Sequence, residues 1–167
     1  MLKAPAQPAD WCNRGVVVSP AWFPKHARND MGTERILVIE DDRVVMNVVT
    51  RWLRGEGYEV LSAPNGNAAI GLVRTGGVNL ILLDLTLIDD DSFGTSWDGF
   101  GLIDWLRRML PDLNVPIIVH TAKTSPQLEA RAREKGVRSV FEKGGDPREL
   151  LDAVRRVLDE TIGKQAA

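Results

Sequence analysis

The chain has 167 residues, of which 44% are hydrophobic and 26% charged, with a formal net charge of −2. That length supports one domain with its own core and needs no disulfide or structural metal. The near-neutral charge excludes the electrostatic footprint of a nucleic-acid binder, and a lone cysteine, Cys12, excludes an internal disulfide or a thiolate zinc cluster.

Two histidines, His26 and His120, are too few and too isolated for a histidine metal site. No apolar run approaches the roughly 20 residues of a membrane span. The N-terminus lacks the apolar core of a secretory signal. The expected location is the cytoplasm, with no membrane and no nucleic acid as partner.

Residues 1–33 contain Pro5, Pro8, Pro20 and Pro24 and show no period beyond Val16–Val18. They read as a disordered arm. Trp11, Trp22 and Phe23 support an alternative, a segment that docks on the domain or on a partner. Met31 stands just ahead of the regular pattern, which leaves open whether the arm is native.

From residue 35 an alternation of short apolar runs and helical patterns begins. Arg35–Glu40 suits a buried strand. Residues 42–54 carry Val44, Val45, Val48, Val49, Trp52 and Leu53 at helical spacing and end at Gly55 and Gly57. Tyr58–Ala63 reads as a second strand and Asn65–Arg74 as a short helix stopped by Gly76-Gly77. Asn79–Asp84 is the most apolar strand. Phe100–Leu110 is a helix closed by Pro111, and Val115–His120 is the fourth strand. Residues 125–135 form a helix with a poor apolar face. Arg138–Glu142 is the fifth strand. Asp146–Ile162 closes the domain as an amphipathic helix. Five strands apolar on both sides, each followed by a helix, predict an α/β fold with a parallel sheet covered on both faces.

In such a sheet the working site lies beyond the C-terminal ends of the strands. There the sequence delivers Glu40-Asp41-Asp42, Asp84, His120-Thr121 and Lys143. Converging carboxylates repel one another unless a cation neutralises them, and an oxygen-only donor set suits magnesium. A carboxylate can act as a nucleophile toward phosphorus, and a lysine and a hydroxyl can balance charge on the transferred group. Each residue also has a plainer reading. Asp42 or Thr121 can cap the following helix, Lys143 can be an ordinary solvated lysine, and His120 reads as a strand-end residue without a chemical role. The coincidence of four strand ends at one edge favours the chemical reading.

At these residues the chain resembles the receiver domain of two-component response regulators, single-domain and like the chemotaxis regulators. ILVIEDD at 36–42 is similar to the family's acidic opening, NLILLDLTL at 79–87 to the strand presenting the phosphoacceptor, PIIVHTA at 116–122 to the strand ending in Thr-Ala, and VFEK at 140–143 to the strand ending in lysine. The resemblance covers 34–162, leaving 163–167 as a tail. It implies a flavodoxin-like (βα)5 doubly wound sheet of five parallel strands in the order 2-1-3-4-5. It implies that Asp84 accepts a phosphoryl group from a histidine kinase or histidine phosphotransfer protein. It also implies Mg2+ held by Glu40, Asp41, Asp84 and the Thr86 backbone carbonyl, with Thr121 and Lys143 as catalytic partners of the phosphoryl group.

Four departures stand beside this. Asp98-Gly99 comes fourteen residues after Asp84, farther than in the family, so 88–97 carries an acidic insertion. It reads either as a surface loop or as a lid or recognition element using Phe93 or Trp97. Ile88 stands where proline is common. Gly144-Gly145 follows Lys143 in place of the family's proline, which predicts a different path for that loop. Val140 replaces the aromatic switch residue. Because only a short tail follows Ile162, the expectation is a stand-alone phosphorylation switch, a phosphoacceptor that is not an enzyme in the usual sense. Its output would be protein binding through the last two helices and the fifth strand. Two alternatives are a receiver-like interaction module independent of phosphate, and a magnesium-dependent nucleic-acid enzyme of topoisomerase–primase type, whose strand-end motif Asp84-Leu85-Thr86 does not match.

Overall fold

The structure is a computed structural model that describes residues 33–87, 98–110 and 114–165, with side chains through Thr161. The expected arm, up to residue 32, and the 88–97 insertion, with Ile88, Phe93 and Trp97, lie outside the described residues.

In chain order the elements are β1 (Arg35–Ile39), α1 (Arg43–Gly55), β2 (Glu59–Ala63), α2 (Gly66–Arg74), β3 (Leu80–Leu83), α3 (Gly99–Met109), β4 (Ile117–Thr121), α4 (Pro126–Glu134), β5 (Ser139–Glu142) and α5 (Pro147–Gln165). The strands form one parallel sheet in the order β2-β1-β3-β4-β5. This is the doubly wound topology expected from the sequence.

The two-residue period of a strand splits the sheet's side chains into two cores. Leu37, Ile39, Ile81, Leu83 and Val119 face one way, into a core with Ala69, Val73, Leu102, Ile103 and Leu106 of α2 and α3. Ile36, Val38, Leu80, Leu82 and Ile118 face the other way, onto Val49 and Leu53 of α1 and Leu150, Val154 and Leu158 of α5. All four residues of β3 are buried, as a central strand covered on both faces requires.

The helix starts are set by side-chain caps. Asp42 accepts hydrogen bonds from the N–H groups of Val44 and Val45, Asn65 from Ala68, Asp98 from Gly101 and Ser125 from Leu128. Asp42 is therefore the N-cap of α1, which begins one residue later than its apolar pattern suggests. Thr121 does not cap α4. It is the buried last residue of β4, and Ser125 takes the cap. The closing helix α5 runs past residue 162 through Gln165, because a single glycine, Gly163, is tolerated near a helix end and Lys164 and Gln165 are good helix formers.

Candidate functional site

The parallel register sends the first, third and fifth strands to the same edge. Leu83 lies beside Ile39 and Val119, and Thr121 beside Glu142. The next residues, Glu40, Asp84 and Lys143, are tied in by backbone bonds: Glu40 N–H to the Ala63 carbonyl, Asp84 N–H to that of Ile39, and Lys143 N–H to that of Thr121. The polar cluster is thus a continuation of the ladder, which fixes its backbone before any side-chain contact is made.

Glu40 and Asp84 are each only 3% exposed. The Lys143 ammonium lies between them, 2.7 Å from Asp84 Oδ2 and 2.8 Å from Glu40 Oε1. Charge-assisted bonds of this kind are roughly twice as strong as neutral ones. The other Asp84 oxygen, Oδ1, accepts from the Thr86 N–H at 3.0 Å and from its hydroxyl at 2.9 Å. Both oxygens of Asp84 are therefore held, and the carboxylate has one orientation. Glu40 Oε1 also accepts from the Asp42 N–H at 3.2 Å.

Burial pushes the Glu40 carboxyl above its ordinary range, against the opposing pull of the Lys143 bond and charge. For Lys143, burial acts downward but is outweighed by the bonds to Asp84 and Glu40 and by their charges, so the ammonium is held above its usual value. His120 is buried, and burial, with the Lys143 charge adding, lowers its pKa to about 4.

Glu40, Asp41 and Asp84 present one carboxylate oxygen each, all within 4.8 Å of one another. Against one ammonium, three carboxylates leave two formal negative charges at this edge. An all-oxygen set with that residual charge fits a hard divalent cation. Asp42 is outside the set, since its side chain is spent on capping α1.

Gly99 closes the site from the side of the insertion. Its N–H donates to the Leu85 carbonyl at 3.1 Å. A Cβ at Gly99 would lie 2.6 Å from Leu85 Cα and 2.7 Å from the Asp84 carbonyl oxygen. The displaced Asp98-Gly99 pair thus returns to the end of β3 despite the longer connection.

The family profile described as the response regulator receiver domain matches residues 36–155. The chain belongs to the response regulator receiver family. Among curated relatives it is 34% identical over 129 residues to the DNA-binding response regulator MtrA of Mycobacterium tuberculosis, covering 77% of this chain and 52% of that protein. It is 31% identical over 129 residues to the DNA-binding transcriptional regulator NtrC of Azospirillum brasilense, covering 77% of this chain and 25% of that protein. The chain therefore spans about half the length, or less, of these relatives. Among solved structures it is similar to a CheY-like receiver domain from Methanospirillum hungatei, with TM-score 0.69, 25% identity and coverage of 80% of this chain and 99% of that one. The HemR receiver domain of Leptospira biflexa gives TM-score 0.65 at 27% identity, covering 75% and 94%.

Against this receiver family the loop after Lys143 has its own form. Gly145 N–H donates to the Glu142 carbonyl at 3.3 Å, and Gly144 sits at φ +88°. Proline, fixed near φ −65°, cannot take that conformation. The expected different path is thus a tight turn, and no cis peptide occurs among the described residues. Val140 is half-buried against the α2–α3 core, while the aromatic of this strand, Phe141, lies on the opposite face toward α1 and α5. The sequence reading missed three features. Thr86 engages Asp84 through its hydroxyl, a signal legible in a threonine two residues after an aspartate. Glu142 Oε2 accepts from the N–H and hydroxyl of Thr124 at 3.1 and 3.0 Å, a pairing across the sheet edge that no local motif reveals. His120, at the end of β4 as expected, is also buried.

Proposed function

We propose that this receiver domain accepts a phosphoryl group on Asp84 from a phosphohistidine of a kinase or phosphotransfer protein, and acts as a phosphorylation-dependent switch. The observation that carries the reading is the Asp84 carboxylate, buried and held at both oxygens by Lys143 and Thr86 at the open end of the sheet. In the transfer, an Asp84 oxygen forms a bond to phosphorus as the donor's P–N bond breaks, and the imidazole leaves with the electron pair. Fixing the nucleophile supplies the orientation that such transfers need.

In this reading Glu40, Asp41 and Asp84, with the Thr86 backbone carbonyl, would hold Mg2+. When bound, the ion supplies charge neutralisation at the carboxylates and the phosphoryl oxygens. Lys143 exchanges one carboxylate contact for a phosphoryl oxygen, and the Thr121 hydroxyl, at the same edge on the neighbouring strand, donates to another. The chain acts as a phosphoacceptor that promotes its own phosphorylation and dephosphorylation. Its setting in this reading is the cytoplasm. Among the described residues no helix is long and apolar enough to cross a membrane. Output passes to a protein partner through α4, β5 and α5. The relatives' names attach DNA binding to those longer proteins, and we assign no nucleic-acid contact to this chain.

The test is incubation with Mg2+ and acetyl phosphate or phosphoramidate, followed by intact mass. Wild type gains one acid-stable, base-labile phosphate and Asp84→Asn gains none. Equal uptake by both, or none by wild type, overturns the assignment.

A further inference from the structure

Helix α4 has little apolar anchorage. Ala132 is its one fully buried residue, and Leu128 packs only partly against the α2–α3 core. A line of polar contacts ties it to α3 instead. The Arg131 guanidinium lies over the Phe100 ring, 4.1 Å from its centre. One turn further along both helices, the Lys135 ammonium bonds both oxygens of Asp104. Just past the end of α4, the Gly136 carbonyl accepts from Arg107 at 3.1 Å. Residues three and four apart lie on one face of a helix, so these contacts run as a seam between α3 and α4. Exposed ties of this kind are individually weak, and a small displacement of α3 is enough to loosen one.

The seam begins beside the phosphate site. Phe100 follows Gly99, where a methyl would lie 2.6 Å from Leu85 Cα and 2.7 Å from the Asp84 carbonyl oxygen. The Gly99 N–H also bonds the Leu85 carbonyl. With no slack between them, the backbone at Asp84 and the first turn of α3 move together. Phe100 is only 7% exposed and belongs to the α2–α3 core. Its ring is therefore held by packing, and a shift of that turn is delivered to Arg131 through contacting side chains. β5 offers no equivalent ring on this side, because Val140 packs here while Phe141 faces α1 and α5.

We propose that α4 senses the occupancy of Asp84 through the first turn of α3, with the Phe100–Arg131 contact as the coupling, a route that rests on Asp84 being the phosphoacceptor. A phosphoryl group at Asp84 displaces the end of β3 and the turn packed on it, the ring slips from under Arg131, and α4 is released for its partner. Phe100 and Arg131 stand outside the carboxylate cluster, so filling the site and transmitting its state are separable.

The experiment is amide hydrogen exchange of the full chain by mass spectrometry, with and without Mg2+ and beryllofluoride, a non-covalent stand-in for a phosphoryl group on a carboxylate. Fluorine NMR measures occupancy in the same samples. In wild type, occupancy is expected to speed exchange in α4 by about threefold, the scale of one exposed cation–π contact. Phe100→Leu and Arg131→Gln are each expected to bind beryllofluoride as wild type does and to lose that response. Arg131 is exposed, so its variant keeps the test valid if Phe100→Leu fails to fold. Arg133→Gln, also exposed on α4, should keep the response. An occupied wild type without a response in α4, a full response in Arg131→Gln, or its loss in Arg133→Gln overturns the route. No occupancy in wild type overturns the reading of Asp84 instead, and the route is then tested without ligand. Gly99→Ala displaces the same turn and should speed exchange in α4 by about threefold relative to α5, and add nothing once Arg131→Gln is present. Equal effects of Gly99→Ala on the two helices, or an undiminished effect beside Arg131→Gln, overturn the route.

Discussion

Replacing Gly99 by alanine probes how the site is held at its insertion side. The new methyl would lie 2.6 Å from Leu85 Cα, 2.7 Å from the Asp84 carbonyl oxygen and 2.9 Å from Leu85 Cδ2. Carbon atoms in contact sit at about 3.5–4.0 Å, so α3 and the end of β3 must separate by about 1 Å. The two closest atoms are backbone and cannot rotate away. Overpacking of this kind costs about 1–3 kcal/mol. Weakening the Gly99 N–H bond to Leu85, 3.1 Å long, adds about 1 kcal/mol. Alanine's helix propensity returns at most ~1 kcal/mol, and less at the first helical position. A net loss of about 2 kcal/mol follows. Urea unfolding of both proteins measures it, at unchanged m-value. Because the strain falls on the backbone of Asp84 itself, phosphate uptake from acetyl phosphate should slow even where Gly99→Ala is fully folded. A Gly99→Ala protein within about 0.5 kcal/mol of wild type, with wild-type uptake, refutes the close packing and the role given to it.

Three further outcomes follow from the same contacts. Asp42→Ala removes the cap of α1 and should cost about 1 kcal/mol while leaving Mg2+ affinity unchanged by calorimetry; a large loss of affinity would make Asp42 a ligand. Lys143→Ala leaves Glu40 and Asp84, both 3% exposed, without their ammonium and should cost about 3 kcal/mol without Mg2+. Added Mg2+ should recover part of that loss in urea unfolding, and a variant as stable as wild type in metal-free buffer contradicts the ion-pair account. The third concerns His120, whose pKa is depressed to about 4 by burial. Above pH 6.5 the ring is neutral folded and unfolded; as pH falls, the unfolded chain takes the proton first. Stability should therefore drop from pH 6.5 toward pH 4, by on the order of 1–3 kcal/mol. Glu40, raised by burial, acts in the opposite sense, contributing stability below its unfolded pKa that is lost as pH rises through the folded one. The His120 share is thus read as the difference between wild type and His120→Gln, and parallel pH profiles for the two exclude it.

Much of this architecture was legible because its signals are local. β3 is apolar at every position, and a strand of that kind is buried on both faces. The strand-end carboxylates stood out because they break those runs at one edge. Asp42 had two readings until its oxygen was seen on the N–H groups of Val44 and Val45, since capping and metal binding ask for the same residue. Thr121 was split the same way; its burial at the end of β4 decides against the cap. The Glu142–Thr124 pairing and the burial of His120 depend on how β5 and α5 pack against β4. No periodicity carries that information, because it is set by distances between segments far apart in the chain. The turn at Gly144 was half-legible: the missing proline announced a new path, and only φ +88° shows which.

The central claim is that Asp84 is the residue that becomes phosphorylated. Its most direct test is borohydride reduction of protein treated with Mg2+ and acetyl phosphate, which converts an aspartyl phosphate to homoserine, followed by peptide mapping. The account predicts homoserine at position 84 alone. Homoserine at Asp41 or Asp42 with Asp84 intact would contradict it, as would a phosphate that borohydride does not remove.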